Sequence, residues 1–220
     1  MTEPSMASEN KTRPIPPLSK SARRRAVREM LWNDHGFLRV GFKNLHQVAE
    51  GMWRANQPQP HHLRYMKSEL GLRTLINLRG ESQKGYYLLE QEVCASLDVQ
   101  LIDFKMFSRD IPTPQRIMEA NALFDSIAYP AVMHCKSGAD RTGITAALYL
   151  ILKCGVPVET ARKQLSLKYL HIRQGKTGVL DYYFDRYLAD RERSGIGFLD
   201  WATDERNVSE IKSDFLLGRR

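Results

Sequence analysis

The chain holds only three cysteines in 220 residues, Cys94, Cys135 and Cys154. An odd number without repeating spacing argues against a disulfide framework or a zinc knuckle, and fits a reducing compartment. No stretch approaches the roughly 18 uninterrupted apolar residues of a membrane-spanning helix. The first residues also lack the compact apolar run of a secretory signal. An intracellular, cytoplasmic protein is therefore expected. Internal repeats are absent, and no composition shift marks a second domain. Acidic residues are in deficit: 25 Asp and Glu face 33 Lys and Arg, a formal charge of +8. Such a balance suits phosphorylated, nucleic-acid or anionic-lipid partners without choosing among them.

The composition that remains, 42% hydrophobic and 26% charged, is that of an ordinary globular domain. Residues 1–19 read as a disordered tail broken by Pro14, Pro16 and Pro17. Residues 20–43 read as a basic helical extension, with a helix from Lys20 to Trp32. Lys11, Arg13, Lys20, Arg23, Arg24, Arg25 and Arg28 run without an intervening acid. This is either a solvated face or a dock for an acidic surface such as anionic lipid. It predicts no specific nucleic-acid partner.

Residues 44–220 read as one domain with a C-terminal helical segment. Strands are expected over Val48–Arg54, Thr74–Leu78, Val99–Met106 and Ala131–Met133. Helices are expected over His61–Leu70, Tyr86–Leu97, Pro112–Ile127, Arg141–Lys153, Val158–Leu170 and Thr177–Asp190. The alternation predicts an α/β fold, a central and mostly parallel sheet flanked by helices. Phe198, Leu199, Trp201, Phe215 and Leu216 near the C-terminus are expected to pack back on this body.

One segment carries chemistry: Val132-Met133-His134-Cys135-Lys136-Ser137-Gly138-Ala139-Asp140-Arg141-Thr142-Gly143. A short apolar strand runs into a compact loop that opens a helix. A phosphate dianion needs many donors converging on a small volume. A tight loop supplies backbone N–H groups, and the helix that follows adds its unpaired N-terminal N–H groups and dipole. Gly138 permits the sharp turn, and Gly143 permits close packing of the first helical turn. Arg141 offers a planar fork for two phosphate oxygens. A helix N-terminus with cationic neighbours favours thiolate over thiol, the form that attacks phosphorus, so Cys135 is the candidate nucleophile. The Thr142 hydroxyl is placed to donate to the sulfur as it leaves.

This segment resembles the signature of the protein tyrosine phosphatase superfamily, His-Cys followed by five residues and Arg, with Thr-Gly after it. Chain length is similar to the compact dual-specificity branch, including small bacterial and atypical members. The resemblance spans about residues 44–190 and is strongest at the loop. It implies a dual-specificity-phosphatase-like fold and a two-step reaction through a phosphocysteine, with no metal or organic cofactor. It also implies that His134 holds the loop and tunes the thiolate.

The general acid stays open. Asp110 lies in Phe107-Ser108-Arg109-Asp110-Ile111-Pro112, which is similar to the acid loop of tensin-type lipid phosphatases. Asp140 precedes Arg141, as in myotubularin-type phosphatases. Asp103 falls within an expected strand and is the weaker option. Lys136, Ser137, Gly138, Ala139 and Gly143 would bind substrate. A lysine at position 136 also occurs in the tensin-type loop, which keeps inositol phosphates and phosphoinositides beside phosphoproteins as substrates. Arg79 ends an expected strand and would add charge or brace the loop by pairing with an acid. Gln174, in a polar loop between helices, is a candidate for positioning water. His61, His62 and His171 read as surface or packing residues, and Cys94 and Cys154 as inert core. A phosphate-binding module and a rhodanese-like sulfurtransferase are the competing classes. The intact Cys135, Arg141 and acids weigh against the first, and the five-residue spacing weighs against the second.

Overall fold

The computed structural model of the chain describes residues 17–218. Of the tail expected over 1–19, residues 1–16, with Lys11 and Arg13, lie outside the described residues, as does the side chain of Leu216.

Five short strands form one sheet: β1 (His46–Ala49), β2 (Met52–Ala55), β3 (Thr74–Asn77), β4 (Gln100–Asp103) and β5 (Ala131–His134). Their order is β1-β2-β5-β3-β4. The β1–β2 pair is antiparallel and all other neighbours are parallel. The chain thus adopts the mostly parallel α/β architecture expected of it. Strands β3 and β5 are buried along their whole length. That is why TLIN and AVMH are so short of charge: a central parallel strand is covered on both faces.

Side chains alternate across the sheet. Ile76, Ala131 and Met133 join a core with α4 (Pro114–Ser126), α5 (Asp140–Cys154) and α7 (Val179–Ser194). Leu75 and Val132 join the opposite core with α2 (Pro60–Leu70) and α3 (Gly85–Ser96). Helix α1 (Lys20–Arg28) continues into one π-helical turn at Glu29–Asn33, and a 3-10 turn follows at Gly36–Arg39. Its Ala26, together with Met30 of the π turn, packs on Tyr86, Tyr87 and Leu89 of α3. Helices α8 (Phe198–Ala202) and α9 (Glu205–Leu216) return to the first core. There Phe198 and Trp201 are buried and Phe215 is partly buried, while Leu199 stays exposed. No helix among the described residues is long and apolar enough to cross a membrane.

Three local expectations are corrected. The single strand over 48–54 is a hairpin that turns at Glu50 and Gly51, where Gly51 takes φ +70°. A polar residue followed by glycine is the turn signal, and alternating apolar neighbours mask it. The helix over 158–170 is broken into α6 (Val158–Ala161) and 3-10 turns at Arg162–Gln164 and Leu167–Tyr169. The break lets the Gln164 carbonyl and the Tyr169 ring reach the buried Arg54. Cys154, expected in the core, is exposed at the end of α5.

Candidate active site

Because β2, β5 and β3 are parallel, their carboxyl ends open along one edge of the sheet. Ligand clefts form at such edges in α/β folds. There β5 ends at His134, the loop from Cys135 to Ala139 follows, and α5 begins at Asp140. Cys135 is buried at the base of the loop.

The loop is held from outside through its carbonyls. Lys136 O accepts from the Gln57 N–H at 3.2 Å. Ser137 O accepts from Asn44 Nδ2 at 3.0 Å. Gly138 O and Ala139 O accept from the Arg54 guanidinium at 2.7 and 3.3 Å. With these carbonyls turned to the scaffold, the N–H groups of residues 136–139 donate to no other described residue. This arrangement is an anion nest at a helix N-terminus. Gly138 sits at φ +75°, and a Cβ there would lie 2.8 Å from Ala55 O. A Cβ on Gly143 would lie 2.7 Å from Leu165, so α5 packs closely on the segment after α6. Thr142 Oγ1 is buried and has no protein partner among the described residues. Arg141 is partly buried, and its guanidinium likewise pairs with no other described residue.

Arg54 is the main residue that sequence reasoning missed. It is fully buried on β2, stacks 3.8 Å above the Tyr169 ring, and also donates to Gln164 O at 2.8 Å. Burial pulls its pKa down to about 10, so it stays cationic at neutral pH. A charged residue ending an apolar strand was the available signal.

A second cluster lies behind Lys136. Asp34 is buried and accepts from Arg39 at 2.6 Å and from Arg79 at 2.7 and 3.0 Å, with Lys136 Nζ 3.7 Å away. Burial would raise its carboxyl, but the Arg79 hydrogen bonds and the charges of Arg79, Arg39 and Lys136 outweigh that and hold it low. Arg79 also stacks on Tyr86 and donates to Gln57 Oε1 at 2.7 Å. Gln57 donates to Glu90 Oε1 at 2.6 Å, and that same oxygen lies 3.1 Å from His134 Nε2. Arg79 is thus tied to an acid beside the loop, and a buried polar chain runs from Asp34 to His134.

The two candidate acids stand in different settings. Asp140 Oδ1 lies 2.7 Å from His171 Nδ1, and His171 Nε2 lies 2.8 Å from Asp181. His171 is buried, as a packing residue would be, but it is charged and paired. Burial alone pushes it down, yet hydrogen bonds to both carboxylates raise it to about 9. Asp110 lies in the irregular loop between β4 and α4 and pairs with Lys212 of α9 at 2.9 Å. Asp103 ends β4, where it accepts from Asn77 and Tyr87. Gln174 is exposed, lines a cavity of about 620 Å³ with His171, Lys168 and Arg173, and forms no hydrogen bond with the loop among the described residues. His62 is buried and His61 exposed, as packing and surface residues. No cluster of three metal-ligating side chains occurs among the described residues.

A family model described as "Tyrosine phosphatase family" matches residues 50–176, more than half of the chain and the whole of this loop. The chain belongs to the tyrosine phosphatase family. It is accordingly a cysteine-based phosphatase. Comparison with curated proteins by sequence finds no significant match. Solved structures agree in fold. TpbA of P. aeruginosa superposes with a TM-score of 0.53 at 15% identity, over 73% of this chain and 89% of TpbA. The core catalytic domain of SIW14 from S. cerevisiae, a PP-IP phosphatase, gives 0.51 at 14% identity, over 69% of this chain and 93% of that domain.

Proposed function

We propose that this phosphatase hydrolyses phosphomonoesters on proteins, phosphotyrosine and also phosphoserine or phosphothreonine, through a phosphocysteine. The observation that carries the reading is the loop itself: its carbonyls are bound outward to Gln57, Asn44 and Arg54, leaving its N–H groups and Arg141 for a phosphate. The phosphoryl oxygens bind these N–H groups and the Arg141 fork. Cys135 Sγ attacks phosphorus as the thiolate, and the P–O bond to the leaving group breaks. Water then attacks the phosphocysteine, releases inorganic phosphate and restores the thiolate. The Thr142 hydroxyl, which has no other partner, donates to the sulfur in that second step.

We assign the general acid to Asp110. Asp140 is tied to His171, which Asp181 holds from its other side, and so acts as a brace at the start of α5. Asp110, on a loop without regular structure, accepts from the Ile111 N–H at 2.9 Å and pairs with the partly exposed Lys212, which it can exchange for a leaving oxygen. The acid protonates the leaving group in the first step and takes a proton from water in the second. Asp110→Asn should remove the alkaline limb of the kcat profile and lower kcat by ~10²-fold or more. If Asp140→Asn does so instead, the assignment is reversed.

A second reading keeps the chemistry and takes inositol phosphates or phosphoinositides. Lys136, partly exposed beside the nucleophile, favours it. Rates on phosphotyrosyl and phosphothreonyl peptides, measured beside rates on inositol phosphates, decide between the two. Preference for the inositol phosphates would sink the protein-substrate reading. A cytoplasmic setting fits the three free thiols.

A further inference from the structure

We propose that the segment from Lys20 to Phe42 is an interfacial docking surface for an anionic lipid bilayer. Three observations meet in this segment.

The first is a row of like charge. Lys20, Arg24, Arg28 and Trp32 recur every four residues along the helical run formed by α1 and the π turn that continues it. Residues four apart share a helix face. The opposite face, with Ala26 and Met30, is spent on α3. Arg23 pairs with Glu92, but Lys20, Arg24, Arg25 and Arg28 form no ion pair with other described residues.

The second is apolar exposure. Trp32 is 64% exposed and Leu38 66%, and Phe37, Val40 and Phe42 are each about half exposed. Five large apolar side chains within residues 32–42 leave water unfavourably ordered around them. Trp32 and Phe37 form one knob, with ring centroids 5.7 Å apart. Clustered apolar exposure marks an interaction site. Aromatic and aliphatic knobs beside unpaired cations match the boundary between acyl chains and anionic headgroups.

The third is a rigid tie to the catalytic loop. Within this segment Asp34 is buried and gripped by Arg39, and it binds Arg79 and lies near Lys136 next to the nucleophile. Asn56 Nδ2 donates to Phe42 O at 2.6 Å, fixing the far end of the segment to the residue after β2. A bilayer bound here therefore holds the loop at a fixed height above the membrane surface. Charge complementarity selects a bilayer over a second copy of this chain, because two copies of a cationic row repel each other.

The test is cosedimentation of the full chain with vesicles of phosphatidylcholine alone and of phosphatidylcholine mixed with phosphatidylglycerol. Binding should require the anionic lipid and weaken with added salt. The pair Arg24→Glu and Arg28→Glu, and separately the pair Trp32→Ser and Leu38→Ser, should each weaken it about tenfold or more. Turnover of para-nitrophenyl phosphate should be unchanged in both, which shows that the variants are folded and keeps this test separate from that of the phosphatase reaction. Absent binding, or binding that ignores both pairs, overturns the proposal. So does light scattering that finds a wild-type dimer dispersed by the Trp32 and Leu38 pair, since the patch would then be a self-interface.

Discussion

Replacing His171 with asparagine removes an imidazolium that two carboxylates hold from either side. The ring is buried, Asp140 lies 2.7 Å from one nitrogen, and Asp181 lies 2.8 Å from the other. Burial alone lowers the His171 pKa, but these partners raise it from 6.5 to about 9. A folded value above the unfolded one means that the stabilisation is fully present below about pH 6.5. It is lost as pH rises through about 9. At ~1.4 kcal/mol per pH unit, the gap corresponds to ~3 kcal/mol. The stability difference between the wild type and His171→Asn in urea unfolding should therefore be largest near about pH 6 and shrink by ~3 kcal/mol by about pH 10. The asparagine fills similar space without the charge, so packing loss contributes a constant offset. A difference that does not change with pH would refute the charged-histidine account and leave His171 as a packing residue.

Arg54→Met should lower melting stability by ~3–5 kcal/mol, because buried carbonyls of Gly138 and Gln164 lose a charged partner. It should also cut kcat, and Arg54→Lys should restore stability in part while kcat stays low, since an ammonium lacks the planar fork. Wild-type kcat in the methionine variant would contradict the bracing role. Gly138→Ala should reduce kcat/KM about tenfold or more, because the residue sits at φ +75° and its Cβ would lie 2.8 Å from Ala55 O. Steady-state kinetics beside a thermal melt reads both effects, and full activity would mean that the loop yields more easily than its packing implies.

The loop was legible because its chemistry is contiguous. Strand, candidate nucleophile, glycine, arginine and helix start occupy residues 131–143, so local pattern alone points to the candidate site. The sheet was legible for a related reason: central strands buried on both faces must read as short apolar runs. What holds the loop was not legible. Arg54 meets Gly138 across 84 positions, and Asn44 meets Ser137 across 93. A polar residue within or beside a strand reads locally as a surface position, and only the fold reveals it as buried. The pairing of His171 was not legible either: its carboxylates are 31 and 10 positions away, and no ligand spacing announces them. The break after α6 escaped notice because apolar spacing continues through it, while the cause, the reach of Gln164 and Tyr169 to Arg54, is tertiary.

The central claim is that Cys135 carries the reaction without a metal. It is tested most directly by turnover of para-nitrophenyl phosphate by the reduced wild type beside Cys135→Ser, with chelator present. The account predicts turnover by the wild type and none by the serine variant, with both proteins folded. Equal turnover by the two proteins would mean that another residue is the nucleophile, and a folded, reduced but inactive wild type would mean a phosphate-binding module built on a phosphatase fold.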